Sequence, residues 1–222
     1  MAGRCLLYYI TDRSQFSGDE SAQRRCLLAK VAEAADAGVD YIQLREKDLT
    51  ARKLEALAME VVAAVREHST STRILINSRI DVALAAGADG VHLRRDDIAP
   101  QDVRRALEES APNFTQPRMT TDRFLIAASC HTSAEILRAE AEGVDFAVFA
   151  PVFGKEGVAS AQPAGLDALR EACRAKIPVI ALGGIKIENA GLCLNAGAAG
   201  IAGIRLFQQN KVEGVVRAVR AL

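Results

Sequence analysis

The chain has no tryptophan, no low-complexity tract and no apolar run long enough to span a bilayer, and over its 222 residues the formal net charge is zero. Such a balance, 28 basic against 28 acidic side chains, lacks the electrostatic footprint of a nucleic-acid- or membrane-binding protein. Neither a signal peptide nor a spanning segment is recognisable, so the expected compartment is the cytoplasm. Histidine is scarce, at three residues, and no Ser–His–Asp arrangement stands out. The five cysteines are an odd number without metal-ligand spacing, which argues for free thiols in a reducing compartment. Cys26, Cys173 and Cys193 fall on helical patterns and read as core residues.

What is present is a motif that recurs four times: Ala37-Gly38-Val39-Asp40, Ala86-Gly87-Ala88-Asp89, Glu142-Gly143-Val144-Asp145 and Ala196-Gly197-Ala198-Ala199. Each copy ends an Ala-rich amphipathic stretch and is followed at once by a short apolar run, beginning at Tyr41, Gly90, Phe146 and Gly200. Gly just past a helix closes the last turn in the left-handed conformation. An apolar run behind it suits a parallel strand buried on both faces. The glycines lie roughly 50 residues apart, the length of two strand-helix units, so four quarters predict eight strands and eight helices. The expected fold is therefore α/β, a single (β/α)8 (TIM) barrel domain over residues 1–222. The odd strands are expected at 6–10, 73–76, 124–128 and 178–182. Residues 110–123, with Pro112 and Pro117, and 153–164 read as loops.

In such a barrel, chemistry sits at the C-terminal ends of the strands. That rule selects Gln43, Arg45, Glu46 and Lys47 after strand two, and Asn77, Ser78, Arg79 and Asp81 after strand three. It selects His92 to Asp97 around the end of strand four, Ser129, Cys130 and His131 after strand five, and Lys155 after strand six. Gly183-Gly184 follows strand seven, and Ile204-Arg205 strand eight. Six cations in this set suit an anionic, phosphorylated small-molecule substrate. Gly-Gly ahead of a helix start, with the backbone after strand eight, matches the recurrent barrel phosphate site. Asp96 and Asp97 read either as carboxylate ligands for a hard cation or as a cap before the helix that begins near Pro100. His131 could exchange protons, cap a helix or orient a ligand. His92 lies inside a strand and reads as packing.

These residues, in this order, resemble the thiamine phosphate synthases: Tyr41-Ile-Gln-Leu-Arg-Glu-Lys47, Ile76-Asn77-Ser-Arg-Ile-Asp81, Gly87-Ala-Asp-Gly-Val-His-Leu93 with Asp96-Asp97, Ser129-Cys-His131, Pro151-Val-Phe153 and Ala181-Leu-Gly-Gly-Ile185. The resemblance runs from about residue 6 to 207 and implies one of two activities. A synthase joins hydroxymethylpyrimidine diphosphate to hydroxyethylthiazole phosphate and releases diphosphate. A thiazole tautomerase aromatises thiazole carboxylate phosphate by moving a proton. A barrel that only binds a phosphorylated ligand is the alternative outside catalysis. The resemblance implies that Gln43, Arg45, Lys47 and Asn77 hold the pyrimidine diphosphate and that Asp97 is a Mg²⁺ ligand. It places Ser129 near the leaving diphosphate, and Gly184, Ile204 and Arg205 at the thiazole phosphate. His131 matches the acid–base of the tautomerase, and Lys155 stands where the synthase loop grips diphosphate. Three departures accompany it. Ser78 replaces the usual second Asp, which leaves the Mg²⁺ site short of a carboxylate. Arg94-Arg95 replaces Gly-Gln, and Gly154-Lys155-Glu156-Gly157 replaces a Thr-x-Thr-Lys pattern. No nucleic-acid or membrane partner is implied; a homodimer is compatible with the sequence, which does not fix the oligomeric state.

Overall fold

A computed structural model describes residues 4–110, 123–154 and 162–222. Eight strands alternate with helices along the chain: β1 (Leu6–Ile10), α1 (Glu20–Asp36), β2 (Tyr41–Leu44), α2 (Ala51–His68), β3 (Arg73–Asn77), α3 (Ile80–Ala85), β4 (Gly90–Leu93) and α4 (Pro100–Ser110). They continue as β5 (Leu125–Cys130), α5 (Ser133–Ala141), β6 (Phe146–Phe149), α6 (Gly165–Ala172), β7 (Val179–Ala181), α7 (Ile187–Asn195), β8 (Gly200–Gly203), α8 (Arg205–Gln208) and α9 (Val212–Arg220). All pairs are parallel and sequential, and β8 returns to β1, so the barrel is closed. Each even strand begins at the residue the repeat selects. The two stretches read as loops fall largely on 111–122 and 155–161, outside the described residues.

The four repeat glycines take positive φ, from +67° to +102°, which is the left-handed helix stop. The repeat's aspartates have a second task. Asp40 Oδ2 accepts from Leu7 N at 2.8 Å, Asp89 Oδ2 from Ile74 N at 2.8 Å and Asp145 Oδ2 from Ile126 N at 2.6 Å. Each therefore satisfies a main-chain donor at the start of the preceding odd strand. Each also pairs with arginine: Asp40 with Arg4 and Arg220, Asp89 with Arg66 and Arg73, Asp145 with Arg104. In the fourth copy Ala199 stands instead, and that carboxylate is missing.

Alternate strand residues face inward and stack in layers of four. The bottom layer is Tyr41, Gly90, Phe146 and Gly200. The Tyr41 and Phe146 rings stack with centroids 4.8 Å apart, and Tyr8 meets both edge-on from above. A Cβ on Gly90 would stand 2.2 Å from Leu125 O, and one on Gly200 2.1 Å from Leu6 O, so the neighbouring strand leaves room for nothing but hydrogen. Above come Tyr8, Leu75, Ala127 and Ile180, then Gln43, His92, Val148 and Ala202. Ile10, Asn77, Ser129 and Leu182 form the top layer under the mouth.

Outside, the helices bury one stripe each. In α2 it is Leu54, Leu57, Ala58, Val61 and Val65, the spacing of a single helical face. The cysteine reading needs correcting at one position. Cys193 is buried and Cys173 half-buried, but Cys26 is exposed. The buried face of α1 runs through Leu27, Val31, Ala34 and Ala35, and Cys26 lies one residue, about 100° of helix, off that stripe.

Candidate active site

The loop after β2 is held by a buried ionic brace. Arg45 N donates to Thr11 Oγ1 at 3.0 Å, and that hydroxyl donates to Glu46 Oε1 at 2.6 Å. The Arg13 guanidinium donates to Glu46 Oε2 at 3.0 Å and in two bonds of 2.7 Å to Asp48. The Arg13 and Glu46 side chains are only 7% and 2% exposed. This bidentate arrangement fixes the path of residues 45–48. Arg45 is half-buried and Lys47 exposed. Burial pulls the Arg45 guanidinium below its ordinary value, while Asp12 and Glu46 favour its charge. Gln43 is buried beneath the loop, and its Nε2 donates to nothing among the described residues.

Asn77, Ser78 and Asp97 come together where β3 and β4 end. Asn77 Nδ2 donates to Ser78 Oγ at 3.1 Å, and the Ser78 hydroxyl hydrogen-bonds to Asp97. Ser78 has φ +62°, the one positive value at a non-glycine among the described residues, a conformation concentrated at functional turns. Both Asp97 oxygens are engaged by Arg94: its N–H reaches Oδ2 at 2.7 Å and its guanidinium Oδ1 at 3.0 Å. Burial would raise the Asp97 carboxyl, but the bonds from Arg94 and Ser78 outweigh it and hold the pKa below the ordinary value. As a magnesium site this donor set is half complete. One carboxylate and one hydroxyl are hard oxygens, but no group of three His, Cys, Asp or Glu side chains converges among the described residues. A cation here would need oxygens from a bound diphosphate and water.

On β5, Ser129 Oγ lies 2.7 Å from His92 Nε2, and His92 Nδ1 lies 3.0 Å from the Tyr8 hydroxyl. His92 is thus a polar link inside the barrel as well as packing. Burial, with help from Arg45, pushes its pKa down to about 3, so the ring is neutral. Burial likewise pushes the Cys130 thiol up to about 12, which removes it as a nucleophile at neutral pH. His131 is exposed, with Nδ1 2.6 Å from Ala150 O. A carbonyl only accepts, so Nδ1 carries the proton and Nε2 keeps its lone pair in the neutral ring. The His131 main chain donates to Glu135 Oε2 at 2.6 Å, and Glu135 also meets Arg95 at 3.3 Å.

The loops after β6 and β7 interlock. Phe153 N donates to Gly183 O at 3.0 Å and Val152 N to Leu182 O at 2.9 Å. Gly184 has φ +61°, and a Cβ there would stand 2.6 Å from Gly154 O and 2.8 Å from Phe153 Cβ. Glycine is therefore required by the neighbouring loop before any anion is considered. The N–H groups of Gly184, Ile185 and Ile204 donate to no acceptor among the described residues. Arg205 is exposed at the first position of α8. Lys155 lies outside the described residues.

Sequence reasoning selected most of this rim but missed what lies beneath it: Tyr8 inside the barrel, the polar role of His92, which reads from sequence as packing, and Thr11 and Arg13 as partners of Glu46. Parity was the available signal. Counting two residues on from Gly90 and from Tyr41 puts His92 and Gln43 in one inward layer.

The fold and these groups define the class: a (β/α)8-barrel enzyme whose polar side chains gather at the C-terminal mouth with main-chain donors that have no acceptor among the described residues. Residues 7–207 match the family model described as thiamine monophosphate synthase. Over 202 residues the chain is 39% identical to the putative thiamine-phosphate synthase 2 of Aquifex aeolicus, covering 90% of this chain and 96% of that protein. It is 36% identical over 219 residues to the thiamine-phosphate synthase of Syntrophomonas wolfei, covering 97% and 95%. Among solved structures, the thiamine phosphate pyrophosphorylase from Pyrococcus furiosus superposes with a TM-score of 0.75 at 31% identity, covering 97% of this chain and 94% of that one. The chain belongs to the thiamine monophosphate synthase family, and it is a transferase of thiamine biosynthesis. No helix among the described residues is long and apolar enough to cross a membrane.

Proposed function

We propose that this chain, acting as one domain, is a thiamine-phosphate synthase that joins hydroxymethylpyrimidine diphosphate to hydroxyethylthiazole phosphate. The observation that carries this is the loop after β2, where Arg45 and Lys47 stand above Gln43 on a buried Arg13–Glu46 brace. A single phosphate at the opposite loops would not call for this second, rigidly held cationic site. Gln43 and Asn77 would bind the pyrimidine end, and Arg45, Lys47, Ser129 and Lys155 the diphosphate. Gly184 and Ile204, through their N–H groups, and Arg205 would hold the thiazole phosphate.

The chemistry follows from where charge develops. Diphosphate leaves the carbon next to the pyrimidine ring, and negative charge grows on the departing oxygens. Fixed cations and donors aimed there lower the barrier without a protein nucleophile, in keeping with a protonated Cys130. Magnesium, if carried in with diphosphate, would be held by Asp97 and would neutralise part of that charge.

One observation favours the second reading. Nε2 of His131 is free to take a proton, as a thiazole tautomerase requires. The test is direct. Purified protein is incubated with both synthase substrates and Mg²⁺, and in parallel with thiazole carboxylate phosphate. Thiamine phosphate from the first mixture is the expected result. Aromatised thiazole from the second alone would replace the synthase by the tautomerase, and turnover in neither would favour a ligand-binding barrel.

A further inference from the structure

The barrel interior contains a line of polar groups of which the proposed chemistry uses Gln43 and Ser129 but neither Tyr8 nor His92. Gln43, Tyr8 and His92 are 1%, 0% and 3% exposed, yet each carries hydrogen-bonding atoms. The Tyr8 hydroxyl sits 3.0 Å from His92 Nδ1, and His92 Nε2 sits 2.7 Å from Ser129 Oγ. Ser129 is only partly buried, so its hydroxyl is where this line reaches the mouth. Burying such a set without function would be costly, because each orphaned polar atom forfeits its hydration.

The direction of the protons can be worked out from one end. Tyr8 is fully buried, and among the described residues its hydroxyl meets one partner of good geometry, His92 Nδ1 at 3.0 Å. A buried hydroxyl proton left without an acceptor costs more than an unused oxygen lone pair, so the Tyr8 proton goes to His92 Nδ1. A neutral imidazole that accepts at Nδ1 carries its proton at Nε2 and donates to Ser129 Oγ. The Ser129 oxygen is then occupied as an acceptor, and its own proton is left pointing away, toward the mouth.

We propose that Tyr8 and His92 form a buried positioning relay that presents the Ser129 hydroxyl as a one-directional hydrogen-bond donor to an anionic oxygen at the mouth. This rests on the synthase reading for the identity of that oxygen, which would belong to the departing diphosphate. Tyr8 and His92 touch neither substrate nor reacting atoms; they act through Ser129.

The relay is tested first on the wild-type protein, without turnover. The chain has three histidines, so ring-nitrogen signals of a ¹⁵N-histidine-labelled sample can be assigned with His68→Gln and His131→Gln variants. The expected result is a His92 protonated at Nε2 and bare at Nδ1 from pH 6 to 8. A His92 protonated at Nδ1 overturns the proposal whether or not the protein is a synthase. The second arm is kinetic. Tyr8→Phe should lower kcat roughly ten-fold with an unchanged KM for the thiazole phosphate, the loss expected when one transition-state hydrogen bond is misdirected. In a Ser129→Ala background the same change should cost less than two-fold, because the relay then has nothing to orient. Equal losses in both backgrounds would show that Tyr8 acts by packing alone.

Discussion

Replacing Glu46 with glutamine removes one charge and one acceptor from beneath the β2–α2 loop while keeping the side chain's shape. Glutamine Oε1 can still accept from Thr11 and from Arg13 N, which now meet Glu46 at 2.6 Å and 3.2 Å. The Arg13 guanidinium, now 3.0 Å from Oε2, would face an amide that cannot accept. Asp48 still pairs with Arg13, but its side chain is 70% exposed and compensates little. Losing a buried hydrogen bond to a charged group costs about 2 kcal/mol, which for a chain of this size lowers Tm by about 4–8 °C. Glu46→Ala, which leaves Arg13 buried without its partner, should cost about 3–5 kcal/mol. The control is Asp167→Asn, which breaks an ion pair whose side chains are 57% and 100% exposed and should shift Tm hardly at all. Thermal unfolding by circular dichroism measures all three. Affinity for inorganic diphosphate, by calorimetry, should fall with Glu46→Gln because the loop that carries Arg45 and Lys47 loses the Arg13–Glu46 bond of its brace. Equal melting temperatures for Glu46→Gln and Asp167→Asn would refute the reasoning that this brace is buried and structural.

The other expectations are simpler to state. His131→Gln should lower a tautomerase rate by roughly two to four orders of magnitude and a synthase rate far less; assays of both reactions on one preparation separate the cases. Gly184→Val forces a β-branched residue to φ +61° against Gly154 O; about 1–3 kcal/mol of stability and most of the thiazole-phosphate affinity should go, as melting and calorimetry would show. Ser78→Asp adds a carboxylate beside Asp97 and should raise Mn²⁺ affinity at least about ten-fold in the presence of diphosphate, read by electron paramagnetic resonance. His92 is held near pKa 3 by burial and rises to about 6.5 on unfolding. Its contribution is therefore whole above pH 6.5 and is lost as pH falls toward 3. Between pH 8 and pH 5 that amounts to about 2 kcal/mol, and denaturant titrations should show it missing in His92→Asn.

The fold could be read from sequence because its signals are local. A glycine at a helix end, an apolar run behind it and the repetition of both need no knowledge of distant partners, and Tyr41, Gly90, Phe146 and Gly200 each begin their strands as expected. The rim of the site followed from the same local logic plus the rule about strand ends. What could not be read depends on closure. Arg13 and Glu46 lie 33 residues apart and Tyr8 and His92 84 apart, and only the completed barrel brings them into contact. The left-handed turn at Ser78 carries no glycine to announce it. The Arg94 grip on Asp97 turns a candidate metal ligand into half of an ion pair, which charge counting alone does not distinguish.

The floor of the barrel has a symmetry lower than the repeat that announces it. Four sequence copies would suggest a fourfold axis, but the side chains alternate ring, hydrogen, ring, hydrogen around the circle. Gly90 lies against Leu125 and Gly200 against Leu6, each glycine on the last strand of one half and each leucine on the first strand of the other. The molecule is thus two half-barrels, β1–α4 and β5–α9, that present the same pair of surfaces to one another. Either half supplies one ring for the floor and one glycine for the seam. A protein made of one half in duplicate would set a glycine against a leucine at both seams.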